Sequence, residues 1–243
     1  MPKTRGQGLA RLALLVGIVS LVLLAITGPG YRSGWLSLGT ALRQLFAWGA
    51  YGGIAATILA LIALAWGRGT ARRTATIALV FGLVSLYLPM RFQQAAGAVP
   101  PIHDITTDVV TPPQYMEVAA LRRELKAPNG LELPPEVINQ QIAAYPEIQP
   151  LFLPVPPAEA YQKTLALVRT RGWDVVADDA AGRRIEATDT TFWFRFKDDV
   201  ALRVSTMPDG TSRVDMRSVS RIGRSDIGTN ARRVREFLAD LAR

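Results

Sequence analysis

Hydrophobic positions fall into two regimes along the chain. Residues 12–26 are nearly continuous Leu, Val, Ile and Ala, and residues 45–66 carry no charge over 22 positions. Residues 77–90 are shorter, but they reach spanning length when Thr74, Ala75 and Thr76 are included. A helix that crosses the hydrocarbon core of a bilayer, about 30 Å thick, needs roughly 20 apolar residues. The pattern therefore predicts three transmembrane helices within residues 1–90. Trp48 and Trp66 stand 18 residues apart, or about 27 Å along a helix, which suits aromatic rings at the two interfaces.

Beyond residue 90 the runs give way to shorter periodicities. Residues 91–154 hold Pro100-Pro101, Pro112-Pro113, Pro134-Pro135 and the start of Pro154-Val155-Pro156-Pro157. Proline removes a backbone donor and breaks helix interiors, so this segment reads as extended chain with one or two short helices, the first at 116–125. From 155 onward the pattern is regular. Ala158, Tyr161, Leu165 and Val168 recur at helical spacing, with Pro157 in the first turn and Gly172 past the end. Residues 173–177 read as a strand bounded by Asp178-Asp179-Ala180-Ala181-Gly182. Residues 183–196 alternate as one strand, with Ile185 and Ala187 on one face. Phe192, Phe194 and Phe196 lie out of phase with them, which demands a bulge or kink near Thr190-Thr191. Trp193 then points away from the phenylalanines and is expected to pack under the Pro-rich segment. After Lys197-Asp198-Asp199, read as a connection, Val200, Leu202 and Val204 alternate. Met207-Pro208-Asp209-Gly210 forms a hairpin turn, and Val214 and Met216 continue the sheet. Ile227, Ala231, Val234, Leu238 and Leu241 form the stripe of a final helix. The predicted fold is a three-helix transmembrane anchor (1–90), a Pro-rich extended segment (91–154) and an α+β two-layer domain (155–243). That domain has an antiparallel sheet of about four strands and two helices on one face.

Charge sharpens this division. Residues 1–99 contain nine Lys or Arg and no acid; the rest of the chain holds 19 basic and all 20 acidic residues. The formal charge of +8 thus belongs to the anchor, and a near-neutral soluble part lacks the electrostatic footprint of a nucleic-acid binder. Lys3, Arg5 and Arg11 precede the first span, and Arg68, Arg72 and Arg73 lie between the second and third. Arg32, Arg43 and Arg91 fall on the other side. This bias favours a cytoplasmic N-terminus and places the C-terminal domain outside the cytoplasm, in the periplasm if the membrane is a bacterial inner one. The first span reads as retained rather than cleaved, since its apolar stretch is long for a signal peptide and no small-residue cleavage motif follows before Gly28. Gly49 and Gly53 form a small-residue face that serves packing within the chain or an oligomer. No ionisable residue lies mid-span, which argues against a proton relay, channel or transporter. The absence of cysteine excludes disulfides and thiolate chemistry.

Several segments carry a family resemblance: Ile102-His103-Asp104-Ile105-Thr106-Thr107-Asp108, Ala144-Tyr145-Pro146, Gly172-Trp173, Arg184-Ile185-Glu186-Ala187-Thr188, Phe196-Lys197-Asp198-Asp199-Val200, and the serine-arginine stretch from Arg217 to Asn230. Together they resemble the domain-of-unknown-function family numbered 1499 over about residues 100–241. The resemblance implies a bacterial-type domain often joined to membrane spans, and it implies no activity.

Two polar clusters are candidate sites. Ser218, Ser220, Arg221, Ser225, Asp226 and Asn230 lie where the last strand passes into the last helix. Backbone N–H groups there favour an anion, Gly223 allows close approach, and Arg221 or Arg224 adds a charged fork. Asp226 competes as an N-cap, and Arg221 can equally pair with Asp198 or Asp199. The second cluster is His103 and Asp104 with Asp198 and Asp199; a histidine beside carboxylates suits a general base or metal ligand. No nucleophile motif supports catalysis, and neither metal nor cofactor is expected. The leading expectation is a membrane-tethered accessory module for an envelope protein, a lipid headgroup or a small anion. The alternative is a membrane-anchored hydrolase-like enzyme using His103 with Ser218 or Ser220 and Asp104.

Overall fold

The computed structural model describes residues 5–243; Lys3, which enters the charge bias above, lies outside them. The chain divides into two compact units, Met1–Ala95 with Trp193–Arg195, and Ala96–Phe192 with Phe196–Arg243.

The first unit is helical: α1 (Gln7–Ala25), α2 (Thr27–Arg32), a π-helical stretch (Thr40–Leu45), α3 (Phe46–Trp66) and α4 (Thr70–Gly97). Three stretches, Gln7–Arg32, Thr40–Trp66 and Thr70–Gly97, are long and apolar enough to cross a bilayer, which is compatible with a membrane protein. Their packing is inverted relative to a water-soluble bundle. Small residues are buried, among them Ala10, Ala13, Ala56, Ala60 and Ala78, while Leu15, Val22, Ile58 and Leu83 point outward. Lipid is as apolar as leucine, so helices gain from close backbone approach instead of from hiding large side chains. Gly53 and Gly82 show why small residues are required. A Cβ at Gly82 would lie 2.8 Å from the Thr57 amide, and one at Gly53 would lie 2.9 Å from the Gly82 carbonyl. Gly49 sits against Leu24. The Gly49–Gly53 face, considered above for an oligomer, is therefore filled within the chain.

The second unit contains β1 (Asp104–Thr106), α5 (Glu117–Glu124), α6 (Pro135–Ala144), β2 (Leu151–Leu153), α7 (Pro157–Thr170), β3 (Asp174–Asp179), β4 (Arg184–Thr190), β5 (Lys197–Thr206), β6 (Ser212–Ser220) and α8 (Thr229–Leu241). The open antiparallel sheet runs β1-β6-β5-β4-β3, and β2 also pairs with β6. This is the expected α+β architecture with two added strands. Both come from the Pro-rich segment, where three residues between turns pair along the free side of β6. So short a strand leaves no readable alternation.

One expected strand is cut short by a turn. Thr190 pairs with Lys197, so 183–196 is not a kinked strand: β4 ends at Thr190 and the chain turns. Thr191 N donates to Phe196 O at 2.9 Å, Phe196 N donates to Thr191 Oγ1 at 2.8 Å, and Arg195 takes φ +58°. The phase change among the aromatics was the turn itself. Asp198 and Asp199 consequently belong to β5 rather than to a connection. Trp193 does not pack beneath the Pro-rich segment; its Nε1 donates to Thr27 Oγ1 at 3.3 Å, and it groups with the first unit.

Because directly opposed residues in antiparallel strands share a face, the register assigns every side chain to a side. Ile185, Ala187, Val200, Leu202, Val204, Val214 and Met216 face α7 and α8 and form the main core with Val168, Val234 and Phe237. Trp173 stacks on Phe237 with centroids 5.2 Å apart. The opposite face carries Ala201 and Val219, covered by Tyr115 and Val118. The Pro-rich segment thus supplies a partial third layer beyond the two expected.

Candidate functional site

Polar side chains at one end of the sheet are buried on both faces, and burial of charge is tolerated only with partners. On the face covered by Tyr115, Thr188, Asp199, Val219 and Asp104 form one cross-strand row. Asp199 is fully buried and accepts from four donors on three side chains. These are Arg122 Nη1 at 2.8 Å, Arg221 Nε at 2.9 Å and Nη2 at 2.7 Å, and Thr188 Oγ1 at 2.8 Å. Asp104 makes a bidentate pair with Arg217, at 3.0 Å to Nε and 2.6 Å to Nη2. Burial alone would favour the neutral form of Arg217, but its hydrogen bonds and charge attraction to Asp104 outweigh this and raise its pKa. The guanidinium carbon lies 5.3 Å from the Tyr115 ring centroid. Burial, reinforced by the Asp104 charge, pushes the Tyr115 phenol well above its ordinary value.

Further along this face, Arg203 and Arg213 bracket Asp108 and Asp215 at 2.7–3.1 Å. Burial acts to raise Asp108, but hydrogen bonds from Thr111 and Val110 and the charge of Arg213 hold it below the usual carboxylate range. Glu186 accepts from Met116 N and Val118 N, both at 2.7 Å, and so caps the start of α5 from the sheet.

The other face has its own row, Asp189, Asp198 and Ser220. Arg233, from α8, reaches Asp198 Oδ2 at 2.6 Å and Asp189 Oδ2 at 2.9 Å, and donates to Ser218 Oγ at 3.0 Å. Ser218 Oγ also bonds to Asn230 Oδ1 at 2.7 Å, and Asn230 Nδ2 donates to Ser220 Oγ at 3.0 Å and to the His103 carbonyl at 2.9 Å.

This geometry separates residues that lie together in sequence. Ser218, Ser220 and Asn230 join Asp198 on the α8 face, whereas Arg221, Asp199 and Asp104 belong to the opposite one. Ser225 Oγ accepts from Ile227 N at 3.2 Å. Asp226 is not the N-cap, a position held by Gly228, yet its carboxylate takes the Gly228 and Asn230 amides at 2.8 Å each. The anion expected at the start of α8 is thus the protein's own. Burial raises the Asp226 pKa despite these two bonds.

The hydrolase-like arrangement does not assemble. Asp104 and the two serines occupy opposite faces of the sheet, and both Asp104 oxygens are held by Arg217. The His103 ring lies 3.3 Å, through Nδ1, from the Arg224 carbonyl, and the residue meets the serine segment through its backbone carbonyl. Among the described residues no group of three His, Cys, Asp or Glu side chains converges to hold a metal.

A family profile described as "Protein of unknown function (DUF1499)" matches residues 104–241, more than half of the chain. The chain belongs to the DUF1499 family. No curated protein matches it in sequence. The matched stretch of this DUF1499 chain contains both charged rows and their cover. Sequence reasoning missed Arg122, Glu186, Arg217 and Arg233 as network members. One signal was available: Asp198 keeps the parity of Val200, Leu202 and Val204, so the alternation extends back into the supposed connection.

Proposed function

We propose that this DUF1499 protein is a membrane-tethered, non-catalytic binding module, with a cytoplasmic N-terminus and its α+β domain outside, that takes an anionic group beside Arg221 and Lys197. One observation carries the reading. Asp199 is shared by two guanidiniums, so this hub holds more positive than negative charge, and among the described residues its outer member, Arg221, has no hydrogen bond through Nη1. Arg221 N bonds to the Lys197 carbonyl at 2.9 Å, which continues the strand pairing and sets Lys197 beside Arg221 on the same face. A guanidinium edge and an ammonium on one face, the latter also 3.8 Å from the Asp174 carboxylate, suit a phosphate or carboxylate. The anion-site expectation thereby keeps Arg221 and Gly223's neighbourhood but gives up Ser218, Ser220 and Asn230.

The test uses the full chain in neutral detergent, titrated with inorganic phosphate and with a short-chain phosphatidylglycerol. A bound ligand raises Tm by mass action. The shift is expected in the parent and in Arg232→Gln, and is expected to vanish in Lys197→Gln. Phosphate alone succeeding identifies a free anion, and the lipid alone succeeding identifies a headgroup. Equal shifts in all three proteins, or none, would overturn the reading.

A further inference from the structure

The turn between β4 and β5 exposes aromatic surface from a well-fixed backbone. Phe192 is 87% exposed and Trp193 44%, and Arg195 beside them is exposed. Two hydrogen bonds between Thr191 and Phe196 close the loop at its base, so the apolar tip is presented rather than loosely displaced. Aromatic rings mixed with cationic side chains (here Arg195 and Lys197) are the composition of a membrane interface contact.

Chain connectivity brings a bilayer within reach of this end of the sheet. Thr188, Asp199, Val219 and Asp104 share one row, so β1 begins at the same end as the 191–196 turn. Only residues 98–103 separate β1 from α4, the third apolar helix. Seven steps of extended chain span at most about 25 Å. The Met207–Gly210 turn lies at the far end of the ten-residue β5, about 30 Å away.

We propose that residues 191–196 form an interfacial membrane contact, with Phe192 entering the headgroup–acyl boundary. The inference presupposes the membrane tether of the proposed function, but not the anion site. The chain lacks cysteine, so Phe192→Cys and, separately, Pro208→Cys in the full-length protein each accept a single nitroxide label. Both positions are exposed, so neither substitution opens the core. After reconstitution into phosphatidylcholine–phosphatidylglycerol vesicles, collision rates with oxygen and with a water-soluble nickel chelate are measured by electron paramagnetic resonance. The oxygen-to-nickel ratio at 192 is expected to exceed that at 208 severalfold. Equal ratios would show an aqueous tip, and a label shielded from both reagents would show a protein contact; either result overturns the proposal. Loss of protein from the vesicle fraction would instead indict the tether.

Discussion

Asp199→Asn is the substitution that most directly tests whether the charged rows are scaffold. The side chain is fully buried and accepts from Arg122, Arg221 and Thr188. Asparagine keeps the shape, removes the charge and turns an amide donor toward guanidinium donors. Buried Arg122 and partly buried Arg221 are then left facing each other without a counter-ion. Removing one partner of a buried ion pair costs about 3–5 kcal/mol, and this case belongs at the upper end because two cations lose the same partner. Arg221→Gln offers the internal contrast. Arg221 is the more exposed of the two arginines, at 12% against 4% for Arg122, and Asp199 retains Arg122 and Thr188 when it is gone. The loss is that of hydrogen bonds to a charged group, about 1.5–3 kcal/mol. Amide hydrogen exchange in β4, β5 and β6 of the full-length protein in detergent reads both values, since these strands open near the global limit. At about 1.4 kcal/mol per decade, Asp199→Asn should lower protection roughly a thousandfold or more, and Arg221→Gln by about ten- to a hundredfold. A loss of less than tenfold for Asp199→Asn, or the reverse order of the two variants, would refute the reasoning.

Phe237→Ala should cost about 3–5 kcal/mol by opening a cavity beside Trp173, seen as lost protection in α8 and in the sheet beneath it. Asp108 is held below the usual carboxylate range, so its stabilisation is complete above about pH 4, the unfolded value, and disappears as pH falls through the lower folded value. Asp108→Asn should flatten that acid limb of a stability–pH profile. Asp226 is raised and acts with the opposite sign: its contribution is present below about pH 4 and is lost as pH rises through the folded value, a decline that Asp226→Asn should abolish. Tyr115 gives an alkaline limb. Its folded phenol is raised, so stability should fall as pH climbs past about 10; Tyr115→Phe should lessen that slope, to which Tyr145 and Tyr161, also raised, contribute, at the cost of one shared hydrogen bond. Gly82→Leu should disrupt packing of α3 on α4, since a Cβ there already meets the Thr57 amide; cross-linking of paired cysteines introduced on those helices would report it.

The three apolar helices, the α7 and α8 stripes and the β5–β6 hairpin were legible in sequence, because each rests on a local period repeated over many residues. The α+β architecture followed from their order. The turn at 191–196 was misread because Phe192, Phe194 and Phe196 keep the spacing of a strand while the backbone reverses, and only pairing of Thr190 with Lys197 decides between the two. The candidate site divided for a related reason. Asp198 and Asp199, or Ser220 and Arg221, are neighbours along the chain, yet a strand sends consecutive side chains to opposite faces. Sequence alone determined that this chain passes from apolar spans to a near-neutral domain rich in Arg and Asp, since composition and period are properties of the chain itself. Which arginine neutralises which aspartate was decided only by the tertiary structure. Those partners lie as far apart as Asp104 and Arg217, and the sheet register, not the local sequence, brings them within hydrogen-bonding distance.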